Sequence, residues 1–122
     1  MRNFKELEVW KLGMDIVKDI YRIVSELPID ERFGLKSQLT RAAVSIPSNI
    51  AEGSAKDSEK EFRLYLERAL GSSFEIETQL IIAAELELIS ADETRELISK
   101  IILEQKKLGS FISSVKQRLP ST

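Results

Sequence analysis

The 122-residue chain contains no cysteine and no histidine. The first absence removes disulfides, thiolate metal sites and thiol nucleophiles. The second removes the commonest general base and the commonest metal ligand. Without imidazole a serine nucleophile has no ordinary activating partner. The di-metal carboxylate site of helix bundles, built on Glu-x-x-His pairs, cannot form either. No G-x-x-x-x-G-K-[ST] phosphate loop occurs, and Gly53, Gly71 and Gly109 stand alone. The expected class is therefore a protein that is not an enzyme and holds no cofactor and no metal. No apolar run approaches the roughly 18 residues that cross a bilayer, so no membrane span is expected. The opening MRNFKELEVW lacks the apolar stretch of a secretory signal, which points to the cytoplasm.

With only three prolines and five glycines, long stretches carry no helix breaker, and the hydrophobic pattern fills them with helical rhythm. Leu7, Trp10, Met14, Val17, Tyr21 and Val24 form a heptad seam. Asn3 and Glu6 have the spacing of an N-cap and its reciprocal partner, and Pro28 closes this first segment, about residues 5–27. A second seam lies beside the first: Val9, Gly13, Ile16, Ile20, Ile23 and Leu27. One seam suits packing within the chain, and the wide arc made by both means that this helix is either central or also buried against another subunit. Val9, Ile16, Ile20 and Ile23 are the expected oligomer interface.

A second helix is expected over 31–53, opened by Asp30 as N-cap and striped by Leu35, Leu39, Ala42, Ala43, Ile46 and Ile50. Pro47 falls inside it and predicts a kink rather than a break. Gly53 is placed to close it as a left-handed C′ residue. Ser58-Glu59-Lys60-Glu61 reads as a capping box for a third helix over 58–89, with a buried row from Phe62 to Ala83. Leu70, Phe74, Ile81, Ala84 and Leu88 form a companion row. Ser90-Ala91-Asp92-Glu93 opens a fourth over 91–119, with Ile98, Ile101, Leu108, Ile112, Val115 and Leu119 in rhythm, Gln105 at a seam position and Pro120 as the stop. Short links force neighbours to pack in opposite directions. The expected fold is all-α: one domain, residues 1–122, folded as an antiparallel up-down-up-down four-helix bundle.

Charge is uneven along the chain. Residues 58–99 carry ten acidic against four basic side chains, whereas residues 100–122 carry five basic against one acidic. Lys100, Lys106, Lys107, Lys116 and Arg118 are thus the candidate RNA-facing patch. A second group is polar. Arg41, Ser45, Ser48 and Glu52 follow a 4-3-4 spacing on the second helix, Asn49 broadens that face, and Glu75 and Gln79 lie on the neighbouring third helix. These seven residues serve either to set the register of the bundle or to form a recognition surface, with Arg41 and Glu75 able to pair.

The run QLTRAAVSIPSNIAEG, residues 38–53, is similar to the signature of the 23S rRNA intervening-sequence protein family, also called S23 ribosomal proteins. Phe4, Leu7, Val9 and Trp10 resemble its F-x-x-L-x-V-W opening. Ile20-Tyr21, Pro28, Glu31, Phe33-Gly34-Leu35, Phe62 through Gly71-Ser72, Glu75 and Gln79-Leu80 extend the likeness over nearly the whole chain. Thr40 departs from it, standing where many relatives have a second basic residue beside Arg41. The resemblance implies a small bacterial bundle assembled as a homo-oligomer, a pentameric ring, whose biochemical role is not established. It leaves two partner classes open. The leading one is structured RNA or a ribonucleoprotein bound by the oligomer; the alternative is a protein-binding scaffold with no nucleic-acid role. Continuous basic surface favours the first, and neutralisation of the basic residues by acidic neighbours favours the second.

Overall fold

The computed structural model describes residues 2–31 and 34–119. Among them are four α-helices and no strand: α1 Glu8–Val24, α2 Leu35–Ser54, α3 Glu59–Glu85 and α4 Ala91–Gln117. Short 3-10 turns at Phe4–Glu6 and Ile29–Glu31 lead into α1 and α2. The Phe33 of the family-like step and the Pro120 stop lie outside the described residues. No described helix is long and apolar enough to cross a membrane.

The starts of the first two helices differ from the sequence expectation. Asn3 Oδ1 accepts from the Lys5 N–H at 3.3 Å and so opens the 3-10 turn, while α1 begins after Leu7 without a side-chain cap. α2 begins after Gly34 rather than Asp30, and the Glu31 carboxylate accepts from the Leu35 N–H at 3.2 Å. A carboxylate at the first turn satisfies an orphan donor and opposes the helix dipole. Ser58 and Ser90 each accept from the N–H three residues on and cap α3 and α4.

The two seams of α1 exchange roles. Val9, Ile16, Ile20 and Ile23, expected at a subunit interface, are buried inside the single chain, none more than 5% exposed. The other row is the outer one: Leu7, Trp10, Met14 and Val17 are half-buried, and Tyr21 is 54% exposed. The reason is energetic. Each fully buried isoleucine contributes about 1.5–3 kcal/mol relative to an exposed one, so the isoleucine row faces the core. Trp10 and Tyr21 carry polar tips that favour the rim.

Phe62, Leu66, Ala69, Ser73, Ile76, Leu80 and Ala83 of α3 are fully buried. The α4 stripe is Thr94, Leu97, Ile101, Glu104, Leu108, Ile112 and Val115. Its seam position is therefore Glu104, not the half-buried Gln105, and Ile98 lies at the edge rather than in the core.

Gly53 is not a C′ residue. It lies within α2, and no described glycine has a positive φ. Its role is close approach: a Cβ there would stand 2.5 Å from Tyr65 Cβ and 3.3 Å from Phe62 Cδ1. Pro47 is buried in the same helix, which continues unbroken past it. Gly53 thus stands at a packed position, whereas Gly71 and Gly109 have nothing within 4 Å of an added Cβ. Gly53→Ala should lower unfolding free energy by about 1–3 kcal/mol through overpacking. Gly71→Ala and Gly109→Ala should each raise it by up to about 1 kcal/mol through helix propensity. Urea unfolding midpoints measure all three.

Candidate functional site

The polar residues of α2 and α3 meet along the line where the helices touch. Residue 38 faces 79, 41 faces 75 and 45 faces 72. The Ser45 hydroxyl donates to the Ala42 carbonyl at 2.8 Å and touches the Ser72 hydroxyl. Asn49 Nδ2 donates to the Ser45 carbonyl at 2.7 Å. Buried Gln79 donates through Nε2 to Gln38 Oε1 at 3.2 Å and to Glu75 Oε2 at 3.1 Å. Arg41 reaches Glu75 at 3.7 Å with a guanidinium side chain that is 72% exposed, a geometry contributing at most about 1 kcal/mol. The structure therefore brings together Arg41, Ser45, Asn49, Glu75 and Gln79. Ser48 and Glu52 stay on the exposed side, with no side-chain hydrogen bond to a described residue. Gln38, absent from the sequence-based set, joins them. Its signal was its position one helical turn before Arg41, opposite the helix that carries Gln79.

This ladder consists of hydroxyls and amides bonded to their own helices and to one another, with the Arg41–Glu75 ion pair at its exposed edge. Among the described residues no group of three or more carboxylates is placed to hold a metal ion.

The basic residues of α4 are dispersed by partners. Lys100 Nζ donates to Asp19 Oδ2 at 2.6 Å, and Lys107 Nζ to Glu8 Oε2 at 2.9 Å. Arg118 pairs with Glu59 at 3.2 Å, and Arg2 shares that carboxylate. Lys106 and Lys116 are exposed and pair with no acid among the described residues. The hydrogen bond from Lys107 and its charge hold the Glu8 carboxyl below the usual glutamate range. Arg2 does the same for Glu59, helped by Arg118 against partial burial.

Residues 5–110 match the family described as 23S rRNA-intervening sequence protein. The chain belongs to that family. A crystal structure of a protein with unknown function from the S23 ribosomal protein family of Bacteroides thetaiotaomicron has the same fold. Its TM-score is 0.80 at 24% identity, over 86% of this chain and 95% of that one. No curated protein matches the chain.

In this member of the 23S rRNA-intervening sequence protein family, most of the SIPSNIAEG stretch is buried or half-buried in the bundle. Pro47, Ile50 and Gly53 are buried, Ser45 and Asn49 serve neighbouring carbonyls, and only Ser48 and Glu52 are exposed. The ion pairs of α4 act on stability through pH. Burial alone would raise the Asp19 carboxyl, but Lys100 and Arg22 outweigh it and hold it below the ordinary 3.8. A carboxylate lowered in the folded state adds stability that is present above its unfolded value and lost as pH falls through the folded one. Asp19→Asn should therefore destabilise the protein by about 1 kcal/mol at pH 7 and flatten the loss below pH 4, read by urea unfolding at pH 2–7.

Proposed function

We propose that this chain is a non-enzymatic, cytoplasmic interaction protein, an up-down-up-down bundle that assembles with its own copies into a ring and presents helix faces to protein partners. The supporting observation is a pair of partly exposed apolar rows on different sides of the subunit. One is the outer row of α1, Trp10, Met14, Val17 and Tyr21, turned away from Glu8 and Asp19, which face α4. The other is the companion row of α3, where Phe74 is 52% and Ile81 41% exposed. That row flanks Glu77, whose carboxylate accepts from Gln105 of α4 at 2.8 Å. Opposed residue order in the α2–α3 and α1–α4 contacts supports the up-down-up-down topology. Two dissimilar surfaces that complement each other make a head-to-tail contact, which closes into a ring when the rotation allows. The family resemblance implies five subunits. The pairing of Lys100, Lys107 and Arg118 with acids favours a protein partner over nucleic acid.

Light scattering during size exclusion should show an assembly several times the 13.9 kDa subunit. Tyr21→Glu and Phe74→Glu should each reduce it to single subunits. Each variant keeps the face the other has lost, so an equimolar mixture should form a two-subunit species and no larger one. Two variants that fail to combine, or a wild-type chain that runs as a single subunit at micromolar concentration, would rule the ring out.

A second reading, structured RNA or a ribonucleoprotein as ligand, is supported by exposed Lys106 and Lys116 and by the rRNA connection in the family's description. Binding of the intact assembly to an rRNA fragment should then weaken steeply with salt as phosphate contacts release counterions. Filter binding between 50 and 300 mM salt distinguishes this from salt-insensitive or absent binding.

A further inference from the structure

Of the four lines along which neighbouring helices pack, the α1–α4 seam is the most sparsely packed. Two clefts open on it. One, of about 290 Å³, lies between Asp19 and Glu26 of α1 and Glu93, Leu97 and Lys100 of α4. The other, of about 340 Å³, lies between Val9 of α1 and Lys107 and Phe111 of α4. Between them in the α4 sequence stands Glu104, which is 0% exposed. Neither of its carboxyl oxygens has a hydrogen-bond partner among the described residues. The carboxyl lies against Gly13, where α1 lacks a side chain. An added Cβ at Gly13 of α1 would be 3.2 Å from Glu104 Oε2, 3.0 Å from Ile46 Cγ2 and 3.6 Å from Pro47 Cδ.

A carboxylate without hydrogen bonds cannot remain ionised in such a place, because the energy of removing an ion from water far exceeds that of binding a proton. The groups around it do not change this. From α1, Glu8 and Asp19 are already engaged by Lys107 and Lys100. From α2 come Ile46 and Pro47, which are uncharged, and on α3 Glu77 is engaged by Gln105, the residue beside Glu104. Burial pushes Glu104 up to about 8, with the charge of Lys107 opposing only in part.

We infer that the α1–α4 seam is a proton-controlled latch, shut while the Glu104 carboxyl keeps its proton and loosened when the proton leaves, since only an opened seam can supply the water an anion needs. The sign follows from linkage. The folded value lies above the ordinary 4.5, so between these values the folded chain holds a proton that the unfolded chain has released. Stability is complete below about 4.5, declines as pH rises and levels off above about 8. Each pH unit inside that window multiplies the unfolding constant by up to about ten.

The test uses the absence of native cysteine. Leu97→Cys places a lone thiol on the seam, and Ala69→Cys places one in the core on α3, each with and without Glu104→Gln. Thiol labelling rates between pH 6 and 9 are compared as ratios, which cancels the ionisation of the thiol itself. The Leu97→Cys rate should rise at least tenfold more steeply in the Glu104 chain than in the Glu104→Gln chain, and in the Glu104 chain it should exceed by at least tenfold the rate at Ala69→Cys, which labels only through global unfolding. Urea unfolding should lose its pH 6–8 slope in Glu104→Gln. Equal labelling rates at both thiols in the Glu104 chain, or the same pH slope with and without Glu104, would overturn the latch. If Glu104→Gln does not fold, carbon-13 titration of the wild-type side-chain carboxyls decides. One glutamate titrating near pH 8 supports the latch, and all of them titrating in the ordinary range overturns it.

Discussion

The close approach of α2 to α3 is the contact on which the other packing depends. Gly53 admits the Tyr65 side chain at a distance no larger residue would tolerate, and Phe62 lies beneath the same point. Phe62 in turn meets Phe111 of α4 edge-on, with ring centroids 5.5 Å apart, and carries the Arg2 guanidinium over its face at 4.0 Å. One glycine thus lets a single aromatic ring tie the end of α2, the start of α3, the end of α4 and the segment before α1. The ladder from Gln38–Gln79 to Ser45–Ser72 then fixes register along the rest of the pair. A one-position slide would separate these partners and leave buried polar groups unpaired, a cost of about 1–3 kcal/mol each. α1 and α4 are laid on this frame, and the seam between them is left loosest.

The irregular stretch Ser45–Gly53 shows how residues that look functional can be architecture. Pro47 withholds an N–H from the helix, Ser45 and Asn49 direct their side chains to carbonyls of their own helix, and Gly53 opens room for α3. Ser48 and Glu52 of the same stretch stay exposed.

Electrostatics follows a similar pattern. The basic quarter at the C-terminus and the acids elsewhere are far apart in sequence but adjacent in space, so Lys100, Lys107 and Arg118 are spent on holding α4 to α1 and α3. Beside the exposed Lys106 and Lys116, the surface also carries apolar side chains: Phe74, Ile81 and Tyr21. Scattered exposed hydrophobes are ordinary, but rows at heptad spacing on two helices are a basis for association. The reading of this protein as a scaffold rests on that residue of unsatisfied surface.

The number of helices and most of the buried stripes on α2 and α3 were legible in the sequence, because a 3.6-residue rhythm of apolar side chains has no other way to be buried. The caps Ser58 and Ser90 were legible too, since capping is local chemistry. Which of two adjacent rows on α1 faces inward was decided only by tertiary packing. Periodicity gives the width of an apolar arc but not the position of its neighbours, and the isoleucine row proved to be core. Gly53 signalled a turn by type and serves an approach by place, which depends on Tyr65 of another helix. The ion pairs of α4 and the burial of Glu104 likewise belong to the folded chain. Glu104 does fall on the 4-3-4 rhythm Leu97, Ile101, Glu104, Leu108, yet a carboxyl at a core position reads as an exception until the folded chain is seen to bury it completely.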